Sequence, residues 1–168
     1  MRKLILAGAL ALAIVPASAA NAASAEAMAK TSCKTQKADM GTKVFKQTYN
    51  VKSVGKAVKA CVAATEETAG DALKNAAKEC KAERDANADT FATTYGTNAG
   101  GKNAYGKCVS SKAKTQVEEE TDDAVAAAET CKTMKAEDAA TFESTYGTKK
   151  NAFGKCVSAT AKAQADAV

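Results

Sequence analysis

Residues 131–156 read CKTMKAEDAATFESTYGTKKNAFGKC, and this stretch decides the fold because it recurs along the chain. Residues 80–108 repeat it as CKAERDANADTFATTYGTNAGGKNAYGKC, and residues 33–61 are a looser copy, CKTQKADMGTKVFKQTYNVKSVGKAVKAC. Each copy begins and ends with a cysteine, at separations of 28, 28 and 25 residues, reading from the N-terminal copy onward. We therefore predict three tandem repeats, over residues 28–65, 66–114 and 115–168.

Each repeat is predicted to form a helical hairpin, and the chain an all-α fold without a sheet. Forty residues between Gly106 and Gly147 contain no glycine or proline, and small or apolar residues recur there at three- and four-residue steps. Alanine, lysine, glutamate and glutamine favour helix, so the local helix propensity is high across most of the chain. No segment alternates β-branched and polar residues as a half-buried strand would.

Within each repeat the sequence predicts a break after the leading cysteine and then a short helix. The breaks fall at Gly41–Thr42, at 87–89 and at Asp138, where turn or N-cap residues stand. Each short helix has an aromatic pair on one face: Phe45/Tyr49, Phe91/Tyr95 and Phe142/Tyr146. Gly96 and Gly147 are expected to be left-handed C-caps, and Asn103 and Asn151 to cap the next helix.

The six cysteines are predicted to be structural disulfides: Cys33, Cys61, Cys80, Cys108, Cys131 and Cys156. On straight antiparallel helices, Cys80 would lie about 22 Å from the turn and Cys108 about 7 Å. Bonded cysteines need Cα atoms within about 7 Å, so either the first helix bends near Asn87 or the pairing differs. Six cysteines allow about fifteen connectivities. The threefold recurrence favours pairing within each repeat.

The N-terminus has the features of a Sec-type signal peptide. Arg2 and Lys3 precede an apolar run over residues 4–15, which is too short to span a membrane, and small residues follow. We predict a leader over residues 1–25, removed between about 19 and 27. The mature protein is then secreted, outside the cell or in the cell envelope, where disulfides persist.

The mature chain is alanine-rich and poor in large apolar residues. Residues 28–168 contain one leucine, no isoleucine, ten valines and four phenylalanines. Alanines bury little area, so hydrophobic burial at roughly 25 cal/mol per Å² cannot hold this fold alone. A disulfide that closes a loop of this size contributes roughly 3.5 kcal/mol. We expect the disulfides to decide whether the chain folds.

The pattern C-K-x-E-R, then F-x-x-x-Y-G-T, then N-A-[YF]-G-K-C-V-S resembles repeats of uncharacterised exported proteins from high-GC Gram-positive bacteria. The resemblance covers roughly residues 80–114 and 131–162, and more loosely 33–64. The first copy departs from it, since Asn50 and Val51 follow Tyr49 in place of Gly-Thr. The resemblance implies export and a repeat fold, and it implies no activity.

The composition argues against most catalytic chemistry. The chain contains no histidine, which removes the commonest general base and most zinc and nucleophile sites. No C-x-x-C pair is present, so neither a metal site nor a redox site is indicated. We expect no cofactor, no metal and no enzymatic activity. A hydrolase that uses Glu83, Asp85 and Glu137 is an alternative, although the sequence shows no pocket-forming context for a carboxylate pair.

The expected function is that of a structural or interaction module that binds a protein or an anionic cell-envelope polymer. Candidate contact residues recur at the predicted loops: Tyr95, Lys102, Lys107, Tyr146, Lys149, Lys150 and Lys155. The net charge of +5 is small and the lysines are scattered, so nucleic acid is not the expected partner. A membrane- or lipid-associating protein is the other alternative, although the helices lack a wedge of large apolar residues.

Overall fold

The structure is a computed structural model that describes residues 17–167, with side chains described from residue 24. Residues 1–16 of the predicted leader (residues 1–25) lie outside the described residues. Within residues 17–167 the chain forms six α-helices and one 3₁₀ turn, without a β-strand. This result confirms the predicted all-α class and the disulfide-bonded helical repeats.

Three long helices, two short ones and one of intermediate length make up the chain. Their bounds are α1 (Ala17–Thr48), α2 (Val54–Ala86), α3 (Ala88–Tyr95), α4 (Ala104–Glu137), α5 (Ala139–Tyr146) and α6 (Ala152–Ala165), and the 3₁₀ turn covers Ala99–Gly101. Helix α1 packs on α2, α2 on α4, and α4 on α6, while α1 also contacts α4 and α6. A short turn reverses the chain between α1 and α2, and α3 and α5 with their loops reverse it after α2 and α4, so successive long helices are antiparallel.

This antiparallel arrangement places the three hairpin tips at two ends. The α1–α2 turn (residues 49–53) and the α5–α6 loop (147–151) lie at one end, with the first and third disulfides; we call it the two-disulfide end. Helix α3 and the loop over residues 96–103 lie at the other, with the second disulfide; we call it the one-disulfide end. Repeats 1 and 3 therefore meet, and repeat 2 stands apart.

The predicted breaks exist in all three repeats. Gly41 has φ 72° and ψ 155° inside α1. Asn87 and Asp138 directly follow α2 and α4 and have extended φ values of −157° and −141°. The Asn87 side chain accepts a hydrogen bond from the Thr90 amide, and Asp138 accepts one from the amide three residues later. Each break thus starts the short aromatic helix in a new direction.

The bend allows every cysteine to pair within its own repeat. The disulfides are Cys33–Cys61, Cys80–Cys108 and Cys131–Cys156, with Cα–Cα distances of 5.9, 6.0 and 6.0 Å. The break shortens the path from the leading cysteine to the tip, so both cysteines lie at the same height in the hairpin. Of the two alternatives that helix length left open, the bent helix is the one observed.

Two predicted cap details were wrong. Gly147 has a positive φ of 91°, but its ψ of 167° lies outside the left-handed helical region, and Gly96 has φ −73°, so neither glycine is a left-handed helical C-cap. Packing requires glycine at position 96, since a β-carbon there would lie 2.8 Å from the Gly101 Cα. Asn103 and Asn151 precede α4 and α6 without capping them through their side chains. Asn103 instead bonds Thr97 across the loop.

The core is thin and divides into three clusters. The largest joins repeats 1 and 3 around Phe45, Phe142 and Phe153 with two of the disulfides. The middle cluster consists of alanines with Leu73 and Val117, and the third holds little more than Phe91 and the second disulfide. Because the alanine-rich middle buries little area, the aromatic clusters and disulfides at the two ends hold the helices together.

Hydroxyl and amide groups add a polar contact between α1 and α4. The Ser32 and Thr121 hydroxyls lie 2.6 Å apart and are buried, and the Gln36 amide donates to Ser32. The Tyr49 hydroxyl in turn donates to the Gln36 carbonyl oxygen over 2.8 Å. Burial raises the pKa of Tyr49 to about 12. This chain of hydrogen bonds satisfies the buried polar groups and sets the register of α1 against α4.

Candidate anion-binding cleft

A cleft of about 740 Å³ opens at the two-disulfide end, between the tips of repeats 1 and 3. The end of α1 and the α1–α2 turn form one wall, and α5 with the loop before α6 forms the other. Among the described residues, its lining contains a single carboxylate, Glu143, and six lysines: Lys43, Lys46, Lys52, Lys135, Lys149 and Lys150. We call it the basic cleft.

Local structure explains why these lysines are tolerated side by side. Lys46 lies in the last turn of α1 and Lys135 in the last turn of α4, where the helix dipole favours a cation. Lys52 lies in a turn, and Lys149 and Lys150 follow Gly147, whose positive φ reverses the chain. All of them except Lys46 are exposed to water, which screens their mutual repulsion.

The cleft has an aromatic floor. Phe142 and Phe153 line it and belong to the large buried cluster. The Lys135 ammonium lies 5.7 Å from the centre of the Phe142 ring, within cation–π range. The Tyr146 ring packs against the same ring at a tilt of 50°, with 5.2 Å between centroids. The wall that carries α5 is therefore held by packing.

The cleft lysines are not neutralised within the protein. None of the ion pairs found within residues 17–167 includes one of the six. Lys112 of repeat 2 differs, because it contacts Glu79 at 3.0 Å and Glu83 at 2.7 Å. The hydrogen bond to Glu83 is the main reason that its pKa is raised. The basic cleft thus presents an excess of positive charge that no ion pair within the described residues neutralises.

The structure divides the predicted contact residues between the two ends. Tyr146, Lys149 and Lys150 lie at or beside the basic cleft, and Lys155 lines a shallower groove next to Gly154. The remaining three, Tyr95, Lys102 and Lys107, lie at the one-disulfide end. The seven residues therefore do not form one site, because the second and third hairpins point in opposite directions.

Tyr95 is engaged within its own repeat. Its hydroxyl donates a hydrogen bond to Glu83 over 2.9 Å, and this bond raises the pKa of the tyrosine. The hydrogen bond from Lys112, followed by that from Tyr95, lowers the pKa of Glu83. Tyr95 thus supports the polar surface of repeat 2 and is less available to a partner than the loop lysines.

Sequence reasoning missed four residues of the cleft, namely Lys43, Lys46, Lys52 and Lys135. Three of them belong to repeat 1, whose loop departs from the pattern of the other two copies. Nothing in the linear sequence indicates that the tip of repeat 1 meets the tip of repeat 3. The available signal was the lysine density of residues 43–52, which becomes informative once the first and third hairpins are known to be neighbours.

The carboxylates considered for hydrolysis do not meet. Glu83 and Asp85 lie near the end of α2, at the one-disulfide end, whereas Glu137 ends α4 at the other. A hydrogen bond from Lys81 lowers the pKa of Asp85, just as Lys112 lowers that of Glu83. Both groups are therefore ionised and paired. Among the described residues, no group of three or more histidine, cysteine or acidic side chains could hold a metal ion.

No known protein family, curated protein or solved structure matches this chain. None of the helices in the described part of the chain is both long and apolar enough to cross a bilayer. The functional argument therefore starts from the geometry of the basic cleft.

Proposed function

We propose that this chain is an exported, non-enzymatic helical-repeat module that binds an anionic polymer of the cell envelope in the basic cleft. The observation that carries the proposal is the ratio of six lysines to one carboxylate in a cleft without internal ion pairs. The three disulfides fit an oxidising extracellular setting. The resemblance to exported repeat proteins of Gram-positive bacteria agrees with the same location.

A polymer suits the cleft better than a small anion. The six ammonium groups come from two repeats and surround about 740 Å³, more room than one phosphate or carboxylate group needs. Lysine is a point charge without the planar geometry that selects one oxyanion. Several weak contacts to successive charges along a chain would add up to useful affinity, and salt would weaken them.

Binding of two polyanions of different chemistry tests this proposal. Poly(glycerol phosphate) and polygalacturonate are titrated into the oxidised protein at low and at high ionic strength. Binding at low salt that disappears at high salt is expected, with either or both polymers. The absence of binding to both at low salt would contradict the proposal.

A pair of matched double variants locates the site. Lys149→Gln with Lys150→Gln should weaken binding about 3- to 10-fold, because each exposed contact contributes about 0.2–1 kcal/mol. Lys102→Gln with Lys107→Gln removes the same charge from the one-disulfide end and should change affinity little. Equal weakening by both pairs would mean that net charge alone, and not the cleft, attracts the polymer.

Vesicle binding at high salt separates the membrane alternative from the proposed function. Anionic phospholipid vesicles present negative charge and an apolar interior, which requires a wedge of large apolar side chains for stable insertion. Among the described side chains, Tyr105 is the exposed large hydrophobic one, and it lies at the end opposite the cleft. Co-sedimentation with vesicles that persists at high salt would favour the lipid-associating function over the proposed one.

A further inference from the structure

The same six-residue motif begins two different helices. Residues 103–108 read NAYGKC at the start of α4, and residues 151–156 read NAFGKC at the start of α6. In both copies the last residue is a disulfide cysteine of the hairpin. The aromatic and glycine positions are therefore structurally equivalent in repeats 2 and 3.

In repeat 3 this motif is an interface with repeat 1. A β-carbon on Gly154 would lie 2.4 Å from the Thr48 carbonyl oxygen. The end of α1 therefore lies too close to position 154 for any residue with a side chain there. Phe153 is 6% exposed and packs in the cluster that contains Phe45. The partner of the motif is thus the end of a short helix that carries an aromatic pair.

In repeat 2 the same positions are open. Gly106 is exposed, and a β-carbon there would meet no atom within 4 Å. Tyr105 is 37% exposed. Glycine weakens a helix relative to alanine, and at position 154 close packing accounts for it. At position 106 nothing within the described chain does.

The exposed tyrosine is held in position. Its hydroxyl donates a hydrogen bond to the Ala77 carbonyl oxygen over 3.0 Å, and the Arg84 guanidinium lies 5.2 Å from the ring centre. A side chain held at its hydroxyl and at its ring loses little conformational entropy when a partner covers it. The face formed by Tyr105 and Gly106 is therefore preorganised for contact.

We infer that the Tyr105–Gly106 face binds the end of α3 from a second copy of this chain. Repeat 3 shows what the motif accepts, namely the end of the aromatic helix of another repeat. The equivalent helix of repeat 2 is α3, which has the pair Phe91 and Tyr95 and ends at the same one-disulfide end. Within its own hairpin α3 leaves Gly106 uncovered, since a β-carbon there would meet no atom within 4 Å.

In a dimer with a two-fold axis, the α3 end of each copy can cover the Tyr105–Gly106 face of the other copy. Each copy contributes its Gly106 face and its α3 end, so the contact is self-complementary and closes without forming a filament. The basic clefts lie at the far ends of such a dimer, because they occupy the two-disulfide end of each copy. The dimer therefore leaves the proposed polymer site free.

Sedimentation velocity of the oxidised protein over a range of concentrations tests the dimer. The wild type should pass from monomer to dimer, and Gly106→Val should raise the dissociation constant about 10-fold or more by filling the contact. Gly55→Val is the matched control. Gly55 also lies in the first turn of a long helix with no neighbour within 4 Å, but at the other end.

A second variant and a cross-linking experiment keep the outcome decisive. If circular dichroism shows that Gly106→Val is unfolded, Tyr105→Glu places a charge on the same face and should also give a monomer. Lysine cross-linking of mixed heavy- and light-isotope copies should join Lys102 or Lys107 of one copy to the same region of the other. A monomer at all concentrations, equal dimerisation of all variants, or links only through Lys149 and Lys150 would overturn the inference.

Discussion

Repeats 2 and 3 contain nearly the same sequence motifs, but these motifs lie in different structural environments. In repeat 3 the end of α1 covers Gly154 of the motif NAFGKC, whereas in repeat 2 Tyr105 and Gly106 of the motif NAYGKC face water. The buried copy has phenylalanine and the open copy tyrosine, whose hydroxyl finds a backbone carbonyl at the surface. Within the described residues the chain therefore covers this glycine position in repeat 3 and leaves it open in repeat 2.

Two further positions follow the same division. Three residues after the leading cysteine stand Gln36, Glu83 and Met134, and four residues after the trailing cysteine stand Thr65, Lys112 and Thr160. Only repeat 2 has charges at both positions, and they form the Glu83–Lys112 ion pair. In repeats 1 and 3 the threonine hydroxyl instead lies 3.7–3.9 Å from the disulfide sulfurs.

The comparison explains how one repeat unit serves two environments. At the two-disulfide end, a neighbouring repeat excludes water, and neutral groups beside the sulfurs avoid the cost of burying a charge. At the one-disulfide end, water reaches the hairpin and the ion pair with its tyrosine lies on the surface. Substitutions at equivalent positions should therefore have unequal effects.

The largest difference in destabilisation between the two repeats is expected at the aromatic positions. Phe153→Ala should lower the free energy of unfolding by about 3–5 kcal/mol, because it opens a cavity in the largest cluster. Tyr105→Ala should cost about 1 kcal/mol, chiefly one hydrogen bond. Urea denaturation of the oxidised protein at high dilution measures both. Equal costs would show that repeats 1 and 3 are not packed as described.

Alanine substitutions at Gly154 and Gly106 should change the free energy of unfolding in opposite directions. Gly154→Ala is expected to destabilise the fold by about 1–3 kcal/mol, since its β-carbon would clash with the Thr48 carbonyl oxygen. Gly106→Ala should stabilise the monomer by about 0.5–1 kcal/mol through helix propensity. The same denaturation assay at high dilution decides it, and a loss of stability in both variants would contradict the open environment assigned to Gly106.

The smallest effect concerns pH and is confined to repeat 2. Hydrogen bonds from Lys112 and Tyr95 lower the pKa of Glu83 below its ordinary value of 4.5. This contribution to stability is fully present above that ordinary value and is lost as the pH falls through the lower folded-state pKa. Amide protection factors of α3 should therefore decrease from about pH 6 to about pH 3.

Two controls accompany the pH experiment. Glu83→Gln should remove the dependence, because the amide can still accept the Tyr95 hydrogen bond but does not titrate. Repeat 1 supplies an internal reference, since Tyr49 bonds the neutral amide of Gln36 at the equivalent position. Residues 42–48 should keep their protection over the same pH range. A parallel loss there would indicate general acid unfolding instead.

Much of each hairpin could be predicted because its causes are local. Helix propensity, the breaks at Gly41, Asn87 and Asp138, and the aromatic spacing all act within a few residues. The recurrence of cysteines favoured the observed pairing, although helix length alone left a second possibility. The cap assignments at Gly96 and Asn103 were wrong because the loop over 96–103 packs on itself and redirects the groups that would have capped the helices.

The candidate site could not be predicted to the same degree. Lys149 and Lys150 were expected contact residues, but Lys102 and Lys107 were grouped with them although they lie at the opposite end. The basic cleft depends on lysines from repeats that are far apart along the chain. Their proximity is a consequence of helix length and hairpin direction, and no residue near them in sequence reports it.

By itself the sequence determined the helices, the position of each break and the cysteines that bond, since propensity, capping and short loops act over a few residues. Only the tertiary structure decided that repeats 1 and 3 share one end and repeat 2 stands alone. This arrangement follows from the antiparallel order of the three long helices and from the packing of α1 against α4 and α6. The same motif is thereby buried at Gly154 and open at Gly106.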